Sequence, residues 1–585
     1  MISNIRSVQI LIDLLKQKSI RKVVLSPGGS DIPIIHSVET DSYFECYSVV
    51  DERSAAYFAM GLSQESKEPV ACVCTSGTAV CNYLPGITEA YYQSVPIVAI
   101  TADKNPNFQG QLETQKIEQT HIFDGVVKKS VNLPLIHCEE DEWLCNRLVN
   151  EALIEIDHHG KCPVHINIPI VGRTDIYSGT STKKERCITL IDRSSSNNAW
   201  EFYKQELKKY NRILFVVGQN VEFDEETLCY METFHNLFGC VFATEHLSNL
   251  NINGCINTYS VTEMIDDRVL DGLVPELVIS IGNNLSAYNL KPFLRRHYKE
   301  CTNWLISLNG EVRDAYKSLT TIFECDLLFF LKYMTKNIKD VSHKDYYNLW
   351  LGMKKQIKIP EYSFSNIYVA KRLAEAIPNN SILHLAILNS TRIMQFYEIN
   401  SEIRTYSNVG ALGIDGCVST FMGQAAATDK LSFLVVGDLS FFYDMNATRI
   451  RGKKKNIRIV MLNNGGGSEF QFFMGKERIP TLNRNICAEH HETAKGWIES
   501  LGYQYFSASN KEEFDNIISV LVADSDKPVF VEVFTDMERD AELTKKIYAE
   551  NSFAPKTSAL KQTIKAVLSE KQIDKAKKII NVIKE

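Results

Sequence analysis

The chain has 585 residues, 44% hydrophobic and 23% charged, with a formal net charge of −7 and a pI near 6.1. This is an ordinary globular composition, too long for one core, and three or four domains are expected. The mildly acidic balance argues against a nucleic-acid partner, and no apolar run is long enough to span a bilayer. The fifteen cysteines are scattered without a Cys-x-x-Cys, the usage of a reduced, cytoplasmic protein rather than of a disulfide framework or zinc site.

The first residues, MISNIRSVQILIDLLKQK, read as an amphipathic helix carrying charges, which is not a signal peptide. Helices and apolar strands then alternate to about residue 180. Val23–Leu25 leads into Ser26-Pro27-Gly28-Gly29. Cys46–Val50 leads into Asp51-Glu52-Arg53 and a helix over Ser54–Ser66. Val70–Cys74 leads into Thr75-Ser76-Gly77-Thr78, Ile97–Thr101 into Ala102-Asp103-Lys104, and Val164–Ile168 closes the unit. Repeated strand–loop–helix units predict an α/β fold with parallel sheets covered on both faces and functional loops at the strand ends. The polar stretch 175–198 reads as a linker.

A second α/β unit, 199–350, contains the strands Ile213–Val217, Leu277–Ile281 and Trp304–Leu308 but no recognisable catalytic set. A third, 359–550, closes with Val529–Val533. The tail, 555–585, has apolar residues at helical spacing (Ile564, Val567, Leu568, Ile573, Ile579, Ile580). It is expected to pack on the body or on a second subunit, with a membrane-surface role as the alternative.

The third unit holds the most informative stretch, LVVGDLSFFYDMNATRIRGKKKNIRIVMLNNGGGSEF, from Leu434 to Phe470. Strand, helix and strand form a parallel crossover, so both strand ends lie on one edge of the sheet. Asp438 and Asn464, twenty-six residues apart, are then neighbours. With a glycine carbonyl they form an all-oxygen set suited to Mg²⁺ carrying a diphosphate. Gly465, Gly466 and Gly467 admit close approach of the backbone. The structural alternative is an ordinary turn with a glycine loop.

This pairing resembles the metal–diphosphate signature of thiamine diphosphate (ThDP) enzymes of the pyruvate-decarboxylase type. More narrowly, DERSAAYFAMGL, CTSGTAVCNYLPGITEAYY, ITADKNP, SNVGALGIDG and VVGDLSFFYDMNA resemble the MenD family of menaquinone-pathway synthases across the first and third units. The resemblance implies three doubly wound domains binding, in order, the aminopyrimidine, no cofactor, and the diphosphate. It implies ThDP with Mg²⁺ (or Mn²⁺), and a homodimer or homotetramer with the active site at the subunit interface. Glu52 would hydrogen-bond the aminopyrimidine N1′, and Ile414 would wedge the bent cofactor. Asp438, Asn464 and the carbonyl of Gly466 would hold the metal, while Asn408, Leu439 and Ser440 would touch the diphosphate. Gln115 matches a polar residue near the reacting carbon. For Glu52 the structural alternative is an acid stabilised by the helix dipole, and for Ile414 a plain core residue.

The departures from the family fall on its substrate clamp. Where the family reads Ser-Arg-Ser-Thr-Pro, this chain has Gly29-Ser30-Asp31-Ile32-Pro33; where it reads Ser-Asn-Arg-Gly, this chain has Ser407-Asn408-Val409-Gly410. A basic pair aligns with Tyr288 and Asn289, and an arginine with Lys104. Each lost arginine removes a charge-assisted carboxylate contact that contributes roughly 1.5–3 kcal/mol when buried. Ser30, Lys104, Arg392 and Phe470 are the candidate substrate contacts, with Arg392 the remaining cation of the third unit or else a surface ion-pair partner. Glu469 is a candidate general acid, or else a solvated carboxylate. His490-His491 reads as a helix cap region.

The expected function is therefore decarboxylation of a 2-oxo acid with carboligation of the resulting enamine to an acceptor, MenD-like but with a different substrate. The alternatives are a 2-oxo-acid decarboxylase without acceptor, a genuine menaquinone-pathway synthase, and a non-catalytic subunit of the same fold.

Overall fold

Short runs of aliphatic and β-branched residues, each followed by Gly, Ser, Thr or Asp, fold as buried parallel strands with loops at their carboxyl ends. The computed structural model describes residues 1–172, 175–178, 183–219, 222–339, 344–451, 453–474 and 479–552. The helix expected over 555–585 lies outside the described residues. The chain divides into two compact units, residues 1–191 with 310–322, and residues 192–309 with those from 323 onward.

In the first unit six parallel strands run in the spatial order Glu45–Ser48, Lys22–Leu25, Val70–Cys74, Ile97–Asp103, Val164–Pro169, Ser130–Asn132. Every residue of Val70–Cys74 and Ile97–Asp103 is buried, with a separate apolar cluster on each face of the sheet. The order reverses between Lys22–Leu25 and Val70–Cys74, the switch point where open α/β sheets receive ligands. The helix Glu52–Ser66 begins two residues earlier than expected. Asp51 caps it by accepting from Ser54 N, which makes Glu52 its first residue.

The stretch read as a linker is in part ordered on this unit. Tyr177–Ser178 pairs antiparallel with Ile2–Ser3. Glu185 is buried, accepts from Arg6 at 2.7 Å, and donates its backbone N–H to Asp13. Ile188 is fully buried. Polar composition conceals such a segment because its anchor is a charge neutralised by a residue nearly the whole unit away.

The second unit contains two sheets. One includes the parallel strands Cys255–Asn257, Val241–Thr244, Ile213–Val217, Leu277–Ile281 and Thr302–Ser307, in that spatial order. The other has six parallel strands: Arg404–Tyr406, Ile382–Leu385, Ser432–Gly437, Ile457–Asn463, Val529–Phe534 and Gln504–Ala508. Its order reverses between Ile382–Leu385 and Ser432–Gly437, so the segments carrying Arg392 and Asp438 leave the sheet side by side. Among the described residues no helix is long and apolar enough to cross a membrane.

Candidate functional site

At the switch point of the first unit, two loops pack too tightly for side chains. A Cβ on Gly28 would lie 2.3 Å from Thr75 Cβ, so only glycine fits there. Ser30 donates its backbone N–H to Thr75 Oγ1 at 3.1 Å, and its hydroxyl lies 3.4 Å from that of Ser76. Glu52 is half-buried at its helix start and accepts from Asn82 Nδ2 at 3.2 Å. Gln115 is exposed with φ +57°, its backbone packed against Gly77. Lys104 is turned to Glu113 and Thr114, 3.3 Å from each.

Asp31 is fully buried. Its Oδ1 accepts from Gly28 N at 2.9 Å, while Oδ2 has no partner among the described residues. Burial pushes this carboxyl up to about 7, opposed by the Gly28 amide and reinforced by the charge of Glu52. An unfolded carboxyl titrates near 4, so between about pH 4 and 7 the folded chain binds the extra proton. Stability contributed by this group is therefore present at acid pH and lost as pH rises through that window, by at most about 4 kcal/mol. Asp31→Asn, which stays neutral and keeps the acceptor for Gly28, should match the wild type in melting temperature at pH 4 and exceed it at pH 8. An equal difference at both pH values would remove Asp31 as the cause.

In the second unit the strand Ser432–Gly437 delivers Asp438, 2% exposed, to the start of the helix Asp438–Asp444. Its Oδ1 accepts from Leu439 N at 2.6 Å. Its Oδ2 accepts from Gly465 N at 2.8 Å and Gly466 N at 3.0 Å. The glycine loop after Ile457–Asn463 is thereby folded onto the aspartate. Gly466 has φ +150°, and a Cβ there would meet Cys487 O at 2.7 Å, which excludes any side chain. Asn464 donates its amide to Ser468 Oγ at 3.1 Å and Asp540 Oδ2 at 3.4 Å. Its Oδ1 accepts from no described residue.

The Asp438 carboxylate lies beside the loop that carries the Asn464 amide oxygen and the Gly466 carbonyl, which brings together residues whose hard oxygen donors are of the kind that Mg²⁺ or Mn²⁺ takes. Ser440 donates to the carbonyl of Ile414 at 2.6 Å, which ties that half-buried isoleucine to the same helix. Asn408 donates to Thr420 at 3.1 Å beside Gly416. The sequence-predicted cofactor residues of this unit thus gather at one sheet edge.

Arg392 and Glu469 lie neither on the surface nor in solvent. They are 2% and 9% exposed and form a bidentate ion pair, with Arg392 Nη2 to Glu469 Oε1 at 2.7 Å. Burial disfavours the guanidinium charge, but Glu469, with Tyr259 and Tyr548, more than offsets this and holds Arg392 above its ordinary value. Phe470 is 40% exposed beside them. His490 does not cap a helix, since the next one starts at Lys495. Its Nε2 instead lies 3.3 Å from Asp438 Oδ2, and that contact, with Glu492, raises the imidazole above its ordinary value. Sequence reasoning missed three features: the burial of Asp31, the approach of His490 to Asp438, and Asp540 behind Asn464. Asp31 before Ile32-Pro33 signals only a helix start, and the other two carry no local signal.

A family model described as thiamine pyrophosphate enzyme, N-terminal TPP binding domain, matches residues 5–122. Over 555 residues the chain is 38% identical to the 2-succinyl-5-enolpyruvyl-6-hydroxy-3-cyclohexene-1-carboxylate synthase of Phocaeicola vulgatus, covering 94% of this chain and 99% of that one. It is 38% identical over 559 residues to the synthase of the same name from Bacteroides thetaiotaomicron, covering 94% and 99%. It is 30% identical over 553 residues to that of Flavobacterium johnsoniae, covering 93% and 98%.

Proposed function

Because the chain belongs to the 2-succinyl-5-enolpyruvyl-6-hydroxy-3-cyclohexene-1-carboxylate synthase family of thiamine diphosphate enzymes, we propose that it is a Mg²⁺-dependent decarboxylating carboligase acting on a 2-oxo acid other than the one its relatives use. The observation that carries the reaction type is the loop in which Gly465 and Gly466 wrap Asp438 beside Asn464. In this reading Asp438, Asn464 and the carbonyl of Gly466 hold the metal, and Leu439, Ser440 and Asn408 lie against the diphosphate. Ile414 would pack against the cofactor. Glu52 hydrogen-bonds the aminopyrimidine N1′ and holds the proton there. Gln115 orients the substrate carbonyl. ThDP, when bound, supplies the carbanion chemistry, and the protein supplies orientation, charge and exclusion of water. The proposed domains are 1–180, 199–350 and 359–550, and the proposed assembly is a homodimer or homotetramer.

The change of substrate is supported by Ser30, Tyr288, Asn289 and Val409, which stand where the family presents basic residues, while Lys104 conservatively replaces an arginine. Lys104 is further engaged by Glu113. The test is carbon dioxide release with ThDP and Mg²⁺ across 2-oxo acids, alone and with added electrophilic carbonyl or enoate acceptors. Acceptor-dependent release is expected. Equal release without acceptor would make the protein a simple decarboxylase, and release independent of ThDP would overturn the reading.

A further inference from the structure

The Arg392–Glu469 pair is placed and built like a ligand already bound. Arg392 follows the strand Ile382–Leu385 on one side of the switch point, and Glu469 follows the glycine loop on the other. Both guanidinium nitrogens that reach Glu469 meet separate carboxylate oxygens, the fork geometry with which arginine takes a free carboxylate. Nη1 also donates to Asn389 Oδ1, and Asn389 Nδ2 donates to Ser468 Oγ at 2.7 Å, the hydroxyl that Asn464 uses. The pair is thus wired into the glycine loop through two amides and one hydroxyl.

What surrounds the guanidinium is aromatic. Its carbon lies 4.7 Å from the Phe472 ring centre, 5.7 Å from Phe473 and 5.8 Å from Tyr288. Such rings complete the solvation of a cation without offering it an anion. On the segment that carries Glu469, Phe470, Phe473 and Met474 are exposed. Among the described residues this segment presents apolar surface, and Arg392, the buried cation beside it, is already paired with Glu469.

We infer that Glu469 acts as a built-in carboxylate that closes the Arg392 subsite to anionic substituents and assigns it to an uncharged, apolar group of the substrate. This rests on the proposed 2-oxo-acid reading for the identity of the ligand, but not for the occupancy of Arg392. Substrates extending toward this edge carry an alkyl or aryl group there rather than a second carboxylate. Glu469 is on this account a specificity-determining residue, and its carboxylate is committed to Arg392 rather than to proton transfer.

The experiment measures acetate and propionate binding to the full chain without cofactor, by calorimetry and thermal shift, against chloride at equal ionic strength. The wild type should show no saturable carboxylate binding. Glu469→Ala frees the guanidinium and should show saturable carboxylate binding, at least roughly 10-fold tighter than the weakest binding the wild-type titration would have detected. Glu469→Ser, which also vacates the guanidinium fork, serves if the alanine variant does not fold. The gain should vanish in the double variant Arg392→Met with Glu469→Ala. Saturable binding by the wild type that Arg392→Met abolishes would overturn the inference, as would folded Glu469 variants that gain none. Because no cofactor is present, failure here is distinct from failure of the carbon dioxide assay.

Discussion

Replacing Glu52 with Gln should lower turnover by roughly two to four orders of magnitude while leaving ThDP affinity within a few-fold of the wild type. The side chain stands at the first position of a helix capped by Asp51, with its Oε2 held by Asn82 at 3.2 Å. Glutamine keeps the length, the Asn82 contact and the helix start, so neither packing nor the loop should move. What it removes is the ability to hold and return a proton at the aminopyrimidine. Hydrogen–deuterium exchange at C2 of the bound cofactor, with calorimetric ThDP affinity beside it, separates the two effects. Slow exchange with retained affinity is expected, and wild-type exchange would remove Glu52 from the chemistry.

Asp438→Asn should cost at least roughly a hundredfold in Mg²⁺-dependent ThDP affinity, the upper end of the loss seen when even residues behind a metal ligand are changed. Two effects act together. The variant removes the only negative charge from the proposed metal set. It also sets an amide N–H₂ against N–H donors, because Asp438 accepts from Leu439 with one oxygen and from Gly465 and Gly466 with the other. Whichever way the asparagine is turned, one end meets donors with a donor. The loop should lose its fold onto residue 438 while the sheet, which is closed by apolar strands, keeps its melting transition. Calorimetric titration of ThDP in saturating Mg²⁺ reads the loss. Unchanged metal-dependent affinity would show that Asp438 is not a ligand.

The strands were the most legible part of the chain. Val70–Cys74, Ile213–Val217 and Leu277–Ile281 fold over the spans their apolar runs mark, because a strand buried on both faces needs no partner-specific information to be recognised. The Asp438 and Asn464 loops were legible for a related reason. Each follows directly on an apolar strand, and the crossover brings the two strand ends together. The state of Arg392 and Glu469 was not legible. Local pattern allowed each to be solvated or to serve the substrate, and only the fold brings two residues seventy-seven apart into one buried pair. Asp31 shows the same limit, since nothing beside it in sequence announces that a carboxyl will lose its water. The polar stretch 175–198 misled for the converse reason, in that Glu185 is polar but neutralised by Arg6.

The proposed function joins a cofactor site of the family's kind to a substrate site that does not clamp multiple carboxylates. The measurement that tests it most directly is ThDP- and Mg²⁺-dependent carbon dioxide release, compared as kcat/KM. It sets 2-oxoglutarate with isochorismate against 2-oxo acids with uncharged side chains. Preference for an uncharged 2-oxo acid is the predicted result, while efficient turnover of 2-oxoglutarate that depends on isochorismate would contradict it and return the protein to the reaction its relatives are named for.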